Sequence, residues 1–188
     1  SPACMAGCLA HVDARQMANL IAEGKFNEAF KLLQKQIPFP GIIAYACEHP
    51  CQSVCVRKDC GGAIRIHDLE KAAVTYGYQS LKLILPPKKK YKIAIVGGGM
   101  TGISAAYEMG KKGYPITLWE AKEGLGGSLT NVPQDVLERD LSILQKAKIE
   151  IRLGQTLTLA EALALKEEFD AVLLAPGKGF ALPETLPE

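Results

Sequence analysis

Two groups of residues in this 188-residue sequence have the types and spacing that chemistry needs. One is the GxGxxG run Gly97, Gly99, Gly102, with Glu120 and the pair Gly126-Gly127 downstream. The other is six cysteines: Cys4 and Cys8, then Cys47, Cys51, Cys55 and Cys60. Glycines at this spacing suit a dinucleotide: the first permits a tight turn, the second lets the backbone approach a pyrophosphate, and the third lets a helix pack on a strand. The helix start then offers free N–H groups and partial positive charge to the phosphates. An acid closing the next strand, here Glu120, can accept hydrogen bonds from both hydroxyls of an adenosine ribose. Clustered thiols with no export signal read as metal ligands in a reducing compartment, iron–sulfur first, with zinc and disulfides as the alternatives. Zinc ribbons favour CxxC knuckles, whereas these spacings are CxxxC.

The elements that must position these residues are legible from periodicity. Ile93 to Val96 is an apolar strand, the glycine turn leads into a helix, and Ile116 to Trp119 is the next strand, ending at Glu120. Further on, Val136, Leu137, Leu141 and Leu144 form a helical stripe. Ile149, Ile151 and Leu153 alternate as a strand, Leu159 to Phe169 reads as a helix, and Ala171 to Ala175 as a buried strand. Alternating strands and helices of this kind predict a parallel sheet covered on both faces. Upstream, Ala14 to Ala22 has helical spacing and ends at Gly24. Phe26, Ala29, Phe30 and Leu33 give one apolar helix face, and a third helix runs from about His67 to Leu81. Phe39-Pro40-Gly41 reads as a turn that delivers Ala44 to Cys60 as a cysteine-lined loop, and Pro50 argues against one regular helix through it. Pro86 to Lys90 reads as a stiff, exposed linker. The expected organisation is a helical metal-binding domain over 1–85, a linker over 86–90 and the start of a Rossmann-like domain over 91–188.

A formal net charge of +2 argues against nucleic acid as the main partner, and Lys88 to Lys90 read as a solvated run. No apolar run approaches the ~20 residues that span a bilayer. With no signal-peptide pattern, a cytoplasmic protein is expected. The sequence begins at Ser1 rather than Met, which reads as a fragment or a trimmed product. No nucleophile or general acid–base pair is evident. His11, His49 and His67, near the cysteines, read as hydrogen-bonding neighbours rather than catalysts.

The order of these parts resembles the N-terminal half of the small subunit of NADPH-dependent glutamate synthase and its relatives. Those relatives are the matching segment of dihydropyrimidine dehydrogenase and the flavin subunit of bifurcating ferredoxin:NADP oxidoreductases. Cys4 and Cys8 match the family's first cysteine pair, and Cys47, Cys51 and Cys55 its second group. Ile64, Ile66, Leu69 and Glu70 match an I-x-I-x-x-L-[EQ] element. The resemblance implies one or two [4Fe–4S] clusters and one FAD. One cluster would take Cys8, Cys47, Cys51 and Glu70; the other would take Cys4 and Cys55 with two cysteines that lie upstream in relatives. Cys60 has no family counterpart. In the nucleotide-binding half, Gly97, Gly98, Gly99, Met100, Thr101 and Gly102 match the pyrophosphate loop, and Glu120 matches the ribose acid. Gly126, Gly127 and Ser128 match the segment leading toward the flavin, and Gly154 to Leu157 would add backbone contacts. The glycine run alone leaves NAD and FAD open; the second glycine pair and the cysteine-rich segment favour FAD. Relatives carry an Arg in a G-I-P-x-x-R-L-P element, where this chain reads Thr130-Asn131-Val132-Pro133. Their NADPH domain follows the segment matching Ala171 to Gly177, so the family implies that pyridine nucleotide binds outside this sequence and that FAD is held weakly by this segment alone.

Two functions from different classes fit. One is an oxidoreductase moving electrons between NAD(P)H and a partner subunit or a carrier such as ferredoxin, through FAD and clusters. The other is a non-catalytic electron-transfer or assembly module of a larger redox complex.

Overall fold

The computed structural model describes residues 1–77 and 83–178. The chain divides into two units: Ser1–Lys82 with Asn131–Asp140, and Leu83–Thr130 with Leu141–Glu188.

The first unit is helical. Its elements are α1 (Ala3–Ala6), α2 (Ala14–Ala22), α3 (Phe26–Gln36), α4 (Pro40–Ala46), α5 (Pro50–Ser53) and α6 (Ile66–Gly77). Asp13 caps α2 by accepting the Gln16 N–H at 3.0 Å. Helices α2, α3, α4 and α6 pack together, and Met17, Ala29, Phe30, Leu33, Ala44, Ala73 and Val74 are buried among them. Cys51 belongs to this core, with Cys4 and Cys8 packed against it. The expected turn at Phe39-Pro40-Gly41 is instead the start of a helix, and a second helix starts at Pro50 within the expected loop. Proline suits the first position of a helix: its missing N–H has no partner there anyway, and its φ is already helical. Between the two helices His49 adopts the left-handed conformation, φ 58°, with Cys47 two residues before it and Cys51 two after. The third expected helix is α6; the positions read as helical beyond Gly77 lie outside the described residues.

The second unit holds a four-stranded, all-parallel sheet in the order β3-β2-β1-β4. Its strands are β1 (Ile93–Val96), β2 (Ile116–Trp119), β3 (Glu150–Arg152) and β4 (Ala171–Leu174). Register is set as Ile93↔Ile116 and Ile93↔Ala171, so β1 and β2 end side by side at Val96 and Trp119. Helices α7 (Met100–Gly110) and α9 (Leu159–Ala164) belong to this unit, while α8 (Gln134–Lys146) is divided after Asp140, its start counted with the first unit and Leu141 onward with the second. Where one helix from Leu159 to Phe169 was expected, α9 gives way to a tighter 3-10 turn over Leu165–Glu167. Phe169 follows it and meets Trp119 edge to face, ring centroids 5.5 Å apart. Thr158 and Glu161 form a reciprocal capping box at the start of α9. Among the described residues no helix is long and apolar enough to cross a membrane.

Candidate functional site

The second unit positions the glycine run at the carboxyl end of β1, next to the place where the strand order reverses between β2 and β4 on either side of β1. That is where ligands enter open parallel sheets. Gly97 has φ +108°, and a Cβ there would lie 2.1 Å from the Ala175 carbonyl oxygen, so the turn tolerates no side chain. A Cβ on Gly102 would meet the Gly97 carbonyl oxygen at 1.8 Å: the helix rests directly on the turn. Around Gly99 nothing lies within 4 Å of an added Cβ, leaving open space beside the backbone at the start of α7. Gly99 is the N-cap and offers no side-chain cap, so the first N–H groups of α7, at Met100, Thr101 and Gly102, have no partner within the helix.

Glu120 sits against this turn, 8% exposed. One carboxylate oxygen accepts the Gly98 N–H at 2.6 Å and the other accepts the Lys122 N–H at 2.8 Å. The acid therefore also shapes the loop. Each oxygen keeps a second lone pair for a ribose hydroxyl. The second glycine pair folds onto the first: the Gly126 N–H donates to the Gly98 carbonyl at 2.8 Å, and a Cβ on Gly127 would lie 3.0 Å from the Gly99 Cα. Ser128 follows at once, and its carbonyl accepts the Thr130 N–H. Leu157, half-buried, packs its side chain against the Ala94, Trp119 and Phe169 cluster. The Gln155 N–H bonds the Glu120 carbonyl, which ties that segment to the acid.

The cysteines fall into two places in the first unit. Cys47 is the C-cap of α4, Cys51 lies in α5, Cys8 follows α1, and Glu70 lies on α6. These four form one electrostatic group. Burial first, and then the negative charges of Glu70, Cys8 and Cys47, push the Cys51 thiol up to about 11. Burial, Glu70 and Cys8 likewise raise Cys47, opposed by the His49 N–H, which donates to its sulfur at 3.4 Å. Glu70 is 7% exposed, has no hydrogen-bond or ion-pair partner among the described residues, and is driven by burial up to about 7. A buried carboxyl beside three thiols, without a cation, is costly unless a positive group joins it. An iron centre is such a group, and coordination deprotonates thiols outright. The residues present therefore fit a cluster. Among the described residues no three His, Cys, Asp or Glu side chains close on a point that would hold a single metal ion. A cubane's ligands attach to four separate irons.

Cys4 and Cys55 line a separate, largely apolar cavity of about 800 Å³. Backbone N–H groups of Ile64 and Arg57 hold the Cys55 thiol below its ordinary value. Cys60 is exposed, and all six cysteines are free thiols. His49 and His67 stack edge to face with centroids 3.6 Å apart, each with one buried ring nitrogen lacking a partner. Sequence reasoning missed Asp140, which reads as a polar position on an amphipathic helix. Its Oδ2 accepts the Ile42 N–H at 2.9 Å across 98 residues, a separation no local pattern reveals.

Comparison with known proteins agrees with both halves. Residues 1–81 match the family model described as dihydropyrimidine dehydrogenase domain II, 4Fe-4S cluster, and residues 95–146 match the NAD(P)-binding Rossmann-like domain. The NADPH-Fe(3+) oxidoreductase subunit beta of Geobacter sulfurreducens is 34% identical over 93% of this chain and 28% of its own length. The glutamate synthase [NADPH] small chain of Bacillus subtilis is 29% identical over 91% of the chain and 37% of its own length. The NAD-dependent dihydropyrimidine dehydrogenase subunit PreT of Escherichia coli K12 is 30% identical over 96% of the chain and 47% of its own length. The chain thus spans less than half the length of each of these relatives. The chain is similar to oxidoreductase subunits, its residues 1–81 matching a dihydropyrimidine dehydrogenase domain II 4Fe-4S model ahead of a Rossmann-like match over residues 95–146.

Proposed function

We propose that this chain is the cluster-binding and first dinucleotide-binding part of an oxidoreductase that moves electrons between NAD(P)H and a partner subunit. The observation that carries the reading is the grouping of Cys8, Cys47 and Cys51 with the buried, unpartnered carboxylate of Glu70. These four would hold one [4Fe–4S] cluster. A second would take Cys4 and Cys55, which share a cavity, with two ligands from outside this sequence. FAD is the proposed dinucleotide: its pyrophosphate would meet Gly97 to Gly102 and the start of α7, its ribose Glu120, and its far side Gly126, Gly127 and Ser128. Support for this orientation comes from the Gly126–Gly98 bond and the open space at Gly99. When bound, flavin and cluster supply two-electron and one-electron chemistry respectively. The protein's own residues bind, orient and shield. NAD(P)H would bind a domain beyond this sequence, the carrier would be a redox subunit or a ferredoxin, and the compartment would be the cytoplasm, where free thiols persist.

The test is anaerobic reconstitution of the chain with iron and sulfide, followed by metal, sulfide and EPR analysis and titration with FAD and with NADPH. Iron and acid-labile sulfide, a reduced-cluster EPR signal and preference for FAD are expected. Zinc without sulfide would overturn the cluster reading, and preference for NADPH would overturn the FAD assignment. If the longer parent protein holds clusters and flavin yet neither NADH nor NADPH bleaches the flavin, the enzyme reading fails and the electron-transfer module stands.

A further inference from the structure

Helix α4 is seven residues long and carries Cys47 as its C-cap. So short a helix has little stability of its own, and its direction depends on what holds it. It begins at Pro40, which has no N–H, so its first donors are Gly41 and Ile42. Ile42 donates to the carboxylate of Asp140 at 2.9 Å, the Gly41 N–H helps hold that carboxyl's charged form, and Asp140 is 6% exposed. The approach is close: a Cβ on Gly41 would lie 2.9 and 3.0 Å from the two carboxylate oxygens and 2.8 Å from the Val136 side chain. All of these residues belong to the first unit, although Asp140 and Val136 are encoded after the dinucleotide glycines. Along its length α4 packs on α6, the helix of Glu70.

We propose that Asp140 is a positioning residue for the cysteine site: by holding the first donors of α4 it sets the direction in which that helix delivers Cys47 to Cys8, Cys51 and Glu70. This rests on reading those four as one ligand set, but the positioning acts on the protein without iron. It gives the downstream segment Asn131–Asp140 a part in a site whose ligands all lie upstream.

The test is a short iodoacetamide pulse on the iron-free chain, with alkylation at Cys47 and at Cys8 quantified separately by mass spectrometry. Both cysteines are half-buried residues, and Cys8 is not on α4. Asp140→Ala is expected to raise the Cys47 rate about tenfold, the factor that matches loss of hydrogen bonding to a charged acceptor, with Cys8 within about twofold. Asp140→Asn keeps an acceptor oxygen and is expected to restore Cys47 to near the wild-type rate. Gly41→Ala perturbs the same contact from the other side and is expected to raise Cys47 alone; it decides the matter if Asp140→Ala does not fold. An unchanged Cys47 rate, or a parallel rise at Cys8, overturns the proposal. In the iron-reconstituted chain, Asp140→Ala is expected to shift the EPR line shape of the reduced cluster. Failure of the wild-type chain to take up iron would remove the ligand assignment and leave the alkylation result standing.

Discussion

Gly99 and Gly102 lie three positions apart, at the N-cap and in the first turn of α7, yet the structure gives them opposite jobs, and alanine at each separates folding from binding. At Gly102 a Cβ would lie 1.8 Å from the Gly97 carbonyl oxygen, which is backbone and cannot swing away. Relief requires α7 to lift from β1, and overpacking of this kind costs about 3 kcal/mol. Alanine returns about 1 kcal/mol of helix propensity, so a net loss of about 2 kcal/mol remains. For a unit of fewer than about 100 residues that is a fall in Tm of about 10 °C. At Gly99 the backbone has φ −74° and ψ −178°, which alanine adopts without strain, and the added Cβ meets nothing within 4 Å. Reduced freedom of the unfolded chain favours alanine by about 0.5 kcal/mol, while alanine is a poorer N-cap than glycine by a similar amount, so Tm should stay within about 2 °C. The same Cβ, however, occupies the space where a pyrophosphate must approach the backbone, and FAD affinity should fall more than about tenfold, or 1.4 kcal/mol. Thermal melts of the ligand-free chain and flavin-fluorescence titrations read the two effects. The reasoning is refuted if Gly99→Ala melts as low as Gly102→Ala, or if it binds FAD like wild type.

Other outcomes follow from single contacts. Glu120→Gln swaps one carboxylate oxygen for an amide nitrogen facing the N–H of Gly98 or Lys122, so the ligand-free chain should lose about 1–3 kcal/mol in urea unfolding; an unchanged midpoint would show that the acid does not shape the loop. Asp140 is pushed by burial up to about 6 despite the Ile42 and Gly41 N–H groups and the charge of Arg139. Its folded value thus lies above its ordinary one, so wild type loses up to about 3 kcal/mol relative to Asp140→Asn as pH rises from about 4 through about 6. Paired urea melts across that range would show a widening gap, and a constant gap would contradict the assigned burial. Glu70→Ala should lower cluster iron after reconstitution while Glu70→Gln retains it, and equal iron in both variants would remove residue 70 from the ligand set.

The nucleotide-binding half was legible because its signals are local. Strand, turn, helix, strand and acid succeed one another within Ile93 to Glu120, each fixed by neighbours a few residues away. The cysteine positions were legible as chemistry, but their surroundings were less so. Pro40 and Pro50 read as breaks although each begins a helix, since proline ends a helix from inside and starts one from its first position. The start of the helix at Leu159 is legible, and the Thr158-x-x-Glu161 capping box supports it, whereas the 3-10 turn over Leu165–Glu167 that replaces its last turns is not. Asp140 was not readable at all, since its partners lie 98 residues upstream. Leu157 enters the cofactor reading through family position and its backbone alone, and the packing of its half-buried side chain against the Trp119 cluster is visible only in the structure.

The two sites share a physical logic that becomes visible in how the rest of the fold treats its polar groups. Among the described residues, the helices of eight residues or more other than α7 each have an acid at their start. Asp13 caps α2, and Glu28, Asp68 and Asp135 lie in the first turns of α3, α6 and α8. These carboxylates offset the unpaired N–H groups and partial positive charge of a helix start. Helix α7 has neither a side-chain cap nor an acid in its first turn, and it begins at the glycine run. Glu70 is the converse: a buried carboxylate without a donor, among thiols whose ionisation it opposes. Left alone, each arrangement costs stability, one through unpaired donors and the other through an uncompensated acceptor. The first wants an anion and the second a cation, which is the pairing that a dinucleotide phosphate and an iron centre would supply.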